Sequence, residues 1–322
     1  MDYKILAERI VKKVIKLGAE EAEVFLENNR DFELSVRNGD VENIKQSTSK
    51  GLGLTVFKEK RLGFSYTSDF SDHSIKEFIE KAVQLSQVAD SKPWNSLPDY
   101  KSGQLLNLDL HDPSISAIPG NKKIEMAKRV EKIALQSDKR ITKTEGGYFG
   151  DSEQEVYIVN SKGISRSAKG TSNYLWVGVV AGEGNNMQSG YWGSSKRHFK
   201  DLDSIESIAQ IAVKRAVDRL GAKQVTTQKV PVIMDRYATR SFWYGILRAI
   251  YGDSAFKKTT FFTNYLNKQV ASKWITVIDN PTIPRHVASL PFDGEGKLTQ
   301  QNTLIDKGIL KMFIYDTITA RK

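Results

Sequence analysis

The sequence has no cysteine, which excludes disulfides and thiolate metal ligands within this chain. Histidine is scarce, and no two of the four histidines lie three to five residues apart, so a helical metal pair such as HExxH is absent. The sequence also lacks a P-loop and a GxSxG nucleophile motif. These absences exclude the motif-based classes of metallohydrolase, nucleotide-binding protein and serine hydrolase.

Long apolar runs are missing as well, since none approaches the roughly 20 residues that a membrane helix needs. The N-terminal stretch MDYKILAERIVKKVIKLG carries charges throughout and therefore has no secretory apolar region. We expect a cytoplasmic protein that does not enter a membrane. Its 322 residues are enough for two or three packed units.

The net charge of +10 is unevenly spread, because residues 201–322 hold 18 Lys or Arg against 11 Asp or Glu. Such a surplus favours an acidic partner: nucleic acid, an acidic peptide or an acidic second subunit. The basic residues are scattered and form no dense arm. This pattern favours a solvated or protein-facing surface over a track for phosphates, so nucleic acid is not the expected partner.

Residues 1–90 are predicted to form a unit of helix, β-meander and helix. Apolar residues at helical spacing predict the first helix over residues 2–17. Asn38-Gly39 separates two alternating runs, and it predicts a type I′ hairpin because that turn needs positive φ twice. A KEKR turn follows the next run, and Ser71 caps a helix to about Ala89.

Residues 91–120 contain four of the eight prolines, and they predict a long connector that runs over a surface. Residues 121–223 are predicted to be a central α+β unit. Its helices are expected over 121–137 and 203–221, the second stopping at Gly221 in a left-handed conformation. Its strands are expected over residues 141–149, 153–160, 164–181 and 187–199.

Residues 224–322 are predicted to begin a β-rich C-terminal domain that is incomplete. We expect a strand over 229–234 and a helix over 236–251 that Asp235 caps. Short strands are expected near 273–279, 298–305 and 309–316, with a turn at Asp306-Lys307-Gly308. The fold class is therefore α+β, with antiparallel sheets and helices in blocks: N-terminal and central α/β units, then the β-rich domain.

The stretch SFWYGILRAIYGD, residues 241–253, is interpreted as a core helix that ends in Gly252-Asp253. Polar residues recur every four positions and predict a stripe along it: Arg236, Arg240, Tyr244 and Arg248. One interpretation is the solvated face of an amphipathic helix. The other is a groove whose guanidinium groups hold carbonyls or carboxylates of a bound peptide.

A second candidate site is a set of carboxylates, Asp279, Asp293 and Glu295. Paired carboxylates can do acid–base chemistry or bind a hard cation. The surrounding segment PFDGEGK also has the composition of a polar turn between strands, and we favour the turn.

Several stretches in a shared order resemble the TldD/PmbA family, whose members are linked to metalloproteolysis of peptides. They are LSVRNGDVENIKQSTSKGLGLTVF, LGFSYTSD, VNSKGISRS, VIDNPTIP, PFDGEGKLTQQNTLIDKGILK and YDTITAR. Each is weak alone, and together they extend from about residue 20 to the end. The family's chains continue past the last stretch, so the resemblance implies that the C-terminal domain is only partly contained here.

The resemblance implies one of two kinds of subunit. TldD-like chains carry an HExxxH helix that binds zinc, whereas PmbA- or TldE-like chains lack it and pair with the first kind. Aligned on Gly252-Asp253, this chain has Trp243 and Arg248 where the two histidines belong and Tyr244 where the glutamate belongs. None can bind zinc or act as the base. The expectation is no catalytic residue, no metal in this chain, and zinc only in a partner.

Three functions remain open at this point. The first is a non-catalytic subunit that pairs with an HExxxH-bearing paralogue, or with itself, and receives extended peptides at Arg240, Trp243, Tyr244 and Arg248. The second is a self-sufficient hydrolase that uses scattered carboxylates with His198 or His286. The third is a basic nucleic-acid-binding module, which the family's association with DNA gyrase keeps in view.

Overall fold

The computed structural model describes residues 2–99 and 103–322. The chain begins with α1 (Tyr3–Lys16), continues through a meander of β1 (Glu21–Arg37), β2 (Asp40–Lys58) and β3 (Arg61–Thr67), and then forms α2 (Asp72–Val88). The predicted Asn38-Gly39 turn is confirmed, since these residues have φ of 53° and 82°. Side chains of Asp2 and Ser71 cap the two helices, as their residue types favour.

The central elements are α3 (Gly120–Gln136), β4 (Ile141–Asn160), β5 (Ser165–Ala181), β6 (Gln188–Lys196) and α4 (Ile205–Val217). All six strands form one antiparallel sheet in the order β3-β2-β1-β4-β5-β6. Because β1 pairs with β4 from Glu23 to Val36, this sheet runs through both the N-terminal and the central part of the chain. The α+β class with antiparallel sheets is confirmed, while the predicted unit boundaries stay a prediction.

One prediction in this sheet is wrong: residues 141–149 and 153–160 are not two separate strands. They form the single strand β4. Gly150 lies within this strand, where a Cβ would be 2.1 Å from Cζ of Tyr174. The glycine lets the aromatic ring of the neighbouring strand lie across the backbone.

The helices cover one face of the sheet in two groups. Helices α1 and α2 pack on the half formed by β1, β2 and β3, around a cluster that includes Ile10, Leu26 and Leu54. Helices α3 and α4 pack on the other half, around Phe149, Leu175 and Ile208. Gly221 has a φ of 73°, so the predicted left-handed stop after α4 is confirmed.

The opposite face, which we call the outer face, receives parts of the connector and the C-terminal region. Phe292 packs there against Ile158 and Ile164, and Leu105 of the connector lies beside them. The backbone N–H of Thr171 donates to Leu110 O at 2.9 Å, which fixes the connector along β5. The connector therefore runs over the sheet, as predicted; its residues 100–102 lie outside the described ranges.

The C-terminal region contains α5 (Arg236–Ala249), α6 (Gly252–Phe256), β7 (Val277–Asp279), β8 (Asn302–Asp306), β9 (Ile309–Leu310) and α7 (Thr317–Arg321). The strands form a small antiparallel sheet in the order β7-β8-β9. A third apolar cluster centres on Ile250, Ile305 and Phe313. The Asp306-Lys307-Gly308 turn is confirmed by positive φ at Lys307 and Gly308.

Two predictions in this region are wrong. Residues 229–234 are not a strand, because they pair with no strand among the described residues. Residues 241–253 are not one core helix: α5 ends at Ala249, α6 begins at Gly252, and no side chain of α5 is fully buried. Separately, none of the described helices is long and apolar enough to span a bilayer.

Candidate functional site

Helix α5 is fixed to the rest of the molecule at its start. The carboxylate of Asp235 accepts hydrogen bonds from the N–H groups of Tyr237 (2.9 Å) and Ala238 (2.7 Å), which satisfies two of the free donors of the first turn. The ring of Tyr237 meets Trp192 of β6 edge to face at 4.7 Å between centroids. This contact places α5 beside the edge of the large sheet.

The end of α5 is fixed by residues 314–315, which lie just before α7. Gly252 N donates to Ile314 O at 2.7 Å, and Ile314 N donates to Ile250 O at 2.9 Å. A Cβ on Gly252 would lie 2.1 Å from Cδ1 of Tyr315, so only glycine fits here. The Gly252-Asp253 pair therefore marks a close packing point between α5, α6 and residues 314–315.

The candidate peptide-binding residues lie on two sides of α5. Arg240, Tyr244 and Arg248 are exposed, and the two guanidinium groups have no ion-pair partner among the described residues. Trp243 is half-buried and packs against the cluster around Ile250. The exposed side presents two free guanidinium donors and a phenol to a ligand, while Trp243 holds the helix in place.

The residues at the family's zinc position do not fit zinc. Arg248 would bring a fixed positive charge to a dication, and the indole of Trp243 offers only an N–H donor. Among residues 2–99 and 103–322, no group of three or more His, Cys, Asp or Glu side chains is arranged to hold a metal.

The carboxylate segment forms the predicted turn. Asp293 Oδ1 accepts from the N–H groups of Glu295 and Lys297, both at 2.9 Å, and Asp293 N donates to Lys297 O at 2.8 Å. Asp279 lies elsewhere, on β7, where its carboxylate is paired with Asn302. The turn borders an open cleft of about 480 Å³ whose acidic lining is Asp253, Asp293, Glu295 and Asp316.

A carboxylate that the sequence did not single out lies next to this turn. Glu23 of β1 is on the outer face, and burial, with smaller contributions from the charges of Glu295 and Asp293, raises its pKa to about 7. A hydrogen bond from Asn160 Nδ2, at 3.2 Å, opposes this shift. Sequence reasoning had no signal for it, since these residues are brought together by folding.

The histidines of the self-sufficient hydrolase hypothesis make local hydrogen bonds. His198 is buried, and its Nε2 lies 3.0 Å from Asp109 O and 3.2 Å from Asp109 Oδ1. His286 Nδ1 accepts from Ala288 N at 3.3 Å within its own loop. Among the described residues, neither histidine forms a hydrogen bond or an ion pair with the Asp293 turn.

An arginine clamp near these histidines was also missed by sequence reasoning. Arg197 donates through Nη2 to the carbonyls of Val287 (2.7 Å) and Ser289 (3.2 Å), and through Nη1 to Thr171 O at 3.2 Å. Desolvation lowers the pKa of this guanidinium. Its donors tie the loop around residue 288 to the edge of β5, which sets how the C-terminal region lies on the sheet.

Three family models cover most of the chain. Residues 22–86 match domain 1 of the PmbA/TldA metallopeptidases, residues 113–220 match their central domain, and residues 227–322 match their C-terminal domain. Among curated relatives, Metalloprotease PmbA of Escherichia coli O157:H7 is 31% identical over 324 residues, covering 99% of this chain and 71% of that protein.

Solved structures show the same relationship. A Bacteroides thetaiotaomicron protein, whose description proposes a role as a modulator of DNA gyrase, matches with a TM-score of 0.92 at 28% identity, covering 100% of this chain and 74% of that one. TldE from Thermococcus kodakarensis shares the fold, with a TM-score of 0.83 at 24% identity over 98% of this chain and 70% of its own. The resemblance carried by the sequence motifs is thus confirmed, and the chain belongs to the PmbA/TldD metallopeptidase family.

Proposed function

We propose that this chain is a non-catalytic, PmbA-type subunit of a peptidase complex in which a paralogue with an HExxxH helix supplies the zinc. The observation that carries the proposal is the side-chain set at the motif position, where Trp243 packs inward and Tyr244 and Arg248 face solvent. A helix is present at the motif position, where it is capped at its start and anchored at both ends. Its side chains suit a peptide rather than a cation.

The exposed side of α5 is proposed to contact an extended peptide substrate. Free guanidinium groups bind backbone carbonyls and carboxylates well, because their donors match planar acceptors. Arg240 and Arg248 lie two helical turns apart, about 12 Å along the axis. That spacing corresponds to three or four residues of an extended chain.

The test uses the pair formed by this chain and an HExxxH-bearing paralogue from the same genome. We expect Arg248→Ala to lower the peptidase activity of the pair several-fold through a raised KM, with unchanged copurification. Arg9→Ala is the matched control, since Arg9 is an exposed arginine on α1, far along the chain from α5. Equal activity of the wild-type and Arg248→Ala pairs would remove the peptide-contact role.

Peptidase activity of this chain alone would favour the self-sufficient hydrolase instead. For that case, His286→Ala and Asp293→Ala are the informative variants, because they change the residues on which that hypothesis depends. Salt-dependent retention on duplex DNA would favour the nucleic-acid hypothesis, since phosphate-driven binding weakens steeply with salt.

A further inference from the structure

The sequence contains one Asn-Gly pair, Asn38-Gly39, and this pair forms the turn between β1 and β2. Both residues are exposed, with φ of 53° and 82°. In an Asn-Gly pair the side-chain amide is readily attacked by the next backbone nitrogen, because glycine has no side chain to hinder the approach. The turn therefore combines a structural role with a reactive side chain.

The reaction of such a pair begins when the N–H of Gly39 loses its proton to solvent hydroxide. The nitrogen forms a bond to Cγ of Asn38, the bond from Cγ to Nδ2 breaks, and ammonia leaves with a proton taken from water. One water then opens the resulting succinimide ring. Opening at Cγ gives aspartate, whereas opening at the main-chain carbonyl gives isoaspartate, whose backbone is one carbon longer. The balance is one water consumed and one ammonia released.

A carboxylate occupies both N–H groups of this turn. Asn38 N donates to Oε1 of Glu131 at 2.9 Å, and Gly39 N donates to Oε2 at 2.8 Å. Glu131 lies on α3 and is only 1% exposed. Hydrogen bonds to a charged acceptor are stronger than neutral ones. The helix therefore binds the turn through one buried carboxylate, each of whose oxygens accepts one N–H.

The position of Glu131 is fixed by close packing of α3 on the sheet. A Cβ on Gly147 of β4 would lie 2.2 Å from the carbonyl oxygen of Ala127, so the backbone of the helix lies directly on the strand. Val130 is fully buried in the same cluster as Val36, which lies close to the turn in β1. The carboxylate is therefore carried by a helix that cannot easily move away from the turn.

This contact opposes the first two steps of the reaction. A carboxylate that accepts the N–H of Gly39 stabilises the protonated nitrogen and repels the anion that must form. The same hydrogen bond directs the N–H toward Glu131, so it must break before the nitrogen can reach Cγ of Asn38. Breaking one hydrogen bond to a charged group is enough to lower the rate about tenfold or more.

We propose that Asn38-Gly39 is a latent deamidation site and that Glu131 keeps it intact by holding both N–H groups of the turn. Conversion to isoaspartate would lengthen the two-residue turn by one backbone carbon. The pairing of Arg37 with Asp40, which closes the hairpin, would then lose its register. The proposal goes beyond the proposed function, because it involves neither a peptide nor a second subunit.

The test follows the mass of the proteolytic fragment that contains residues 38–39 while the complete chain is incubated at constant temperature and neutral pH. Aspartate and isoaspartate are separated by chromatography and distinguished by electron-transfer fragmentation. The folded parent chain is expected to deamidate at this pair at least about tenfold more slowly than the same chain unfolded in guanidinium chloride. The unfolded chain gives the rate that the pair has without the helix.

Two substitutions on α3 form the matched pair. Glu131→Ala removes both hydrogen bonds and is expected to raise the rate in the folded chain about tenfold. Glu125→Ala changes an exposed glutamate of the same helix and is expected to leave the rate within about twofold of that of the parent chain. Glu131→Gln keeps one acceptor oxygen without the charge and is expected to give an intermediate rate, which provides the test if Glu131→Ala does not fold. Circular dichroism before incubation shows whether each variant is folded.

Several results would overturn the proposal. They are equal rates for the folded and the unfolded parent chain, equal rates for the parent chain and the folded Glu131 variants, or a slower reaction when Glu131 is replaced. The last of these would assign the carboxylate the role of a base that removes the Gly39 proton. Ammonia release that continues unchanged in Asn38→Asp would place the reactive amide elsewhere in the chain.

Discussion

Asn160 Nδ2 donates a hydrogen bond to Glu23 Oε2 at 3.2 Å, joining the last residue of β4 to the start of β1 beneath the Asp293 turn. Asn160 is buried and also accepts, through Oδ1, from the N–H groups of Lys162 and Ile164. Its side chain therefore links a hairpin turn to a carboxylate that lies in an acidic, poorly hydrated position. Burial in that position raises the pKa of Glu23 to about 7, so its charge changes near neutral pH.

Stability is expected to fall with rising pH because of Glu23. Its pKa is raised from 4.5 to about 7 in the folded chain, so the protonated form favours folding. The stabilising contribution is complete below pH 4.5 and is lost as the pH rises towards 7. Glu23→Gln should remove this decline. The change in the free energy of unfolding that this substitution causes should therefore be more favourable at pH 8 than at pH 5, by about 1–3 kcal/mol.

The measurement is urea denaturation of the parent chain and Glu23→Gln at both pH values. Glu125→Gln, at an exposed position of α3, is the control and should show the same difference between pH 5 and pH 8 as the parent chain. If the free energies of unfolding of the parent chain and of Glu23→Gln change equally between pH 5 and pH 8, the pKa of Glu23 is not raised in the folded chain.

Two glycines near the candidate site should respond to alanine in opposite directions. Gly252→Ala would push a methyl group into the Tyr315 ring, so we expect a loss of about 1–3 kcal/mol in the free energy of unfolding. Gly245→Ala, inside α5 with nothing within 4 Å, should gain about 0.5–1 kcal/mol. Equal urea midpoints for the two variants would contradict the close packing of α5 against residues 314–315.

Lys123 of α3 and Asp151 of β4 form a buried ion pair under the sheet, and Lys123 Nζ also lies 4.3 Å from the Phe32 ring centroid. Lys123→Met leaves the carboxylate buried without its cation, which should cost about 3–5 kcal/mol. The double variant Lys123→Met/Asp151→Leu should recover most of that loss, because no unpaired charge remains. Both are measured by chemical denaturation.

An exposed ion pair on the same helix provides the comparison. Arg129 and Glu206 link α3 to α4 at 2.6 Å with side chains 63% and 47% exposed. Arg129→Gln should therefore change stability by less than about 1 kcal/mol. A loss of stability as large as that of Lys123→Met would show that solvent exposure does not explain the difference between the two ion pairs.

Local sequence signals predicted much of this architecture. Asn38-Gly39, Ser71, Asp235 and Gly221 each act within a few residues of their own position, and each has the turn, cap or stop that its residue type favours. The turn at Asp293 is also a local feature of this kind. Such features depend on short-range sterics and hydrogen bonds, which a single sequence displays directly.

Other features depend on residues far apart in the chain. Gly150 lies between two strands that the sequence predicts as separate, but in the structure it is inside one strand and Tyr174 lies across it. Residues 229–234 have the composition of a strand, but pairing needs a neighbour that the described residues do not place there. The raised pKa of Glu23 arises from burial and from residues some 270 positions later in the chain. The hydrophobic periodicity of the sequence does not reveal any of these relationships.

The candidate site was predictable only in part. The four-residue spacing of Arg240, Tyr244 and Arg248 placed them correctly on one side of α5. The same pattern indicated a core helix, whereas the structure leaves every α5 side chain at least partly accessible. Amphipathic spacing shows which residues share a face, but it does not show how much of the molecule covers that face.

We propose above that this chain is the zinc-free member of a peptidase pair. The most direct measurement is the zinc content and peptidase activity of this chain alone, of the HExxxH-bearing paralogue alone, and of the copurified pair. We expect less than about 0.1 zinc per molecule and no cleavage for this chain alone, with one zinc and cleavage for the pair. Stoichiometric zinc in this chain, or chelator-sensitive cleavage by it without a partner, would contradict the account.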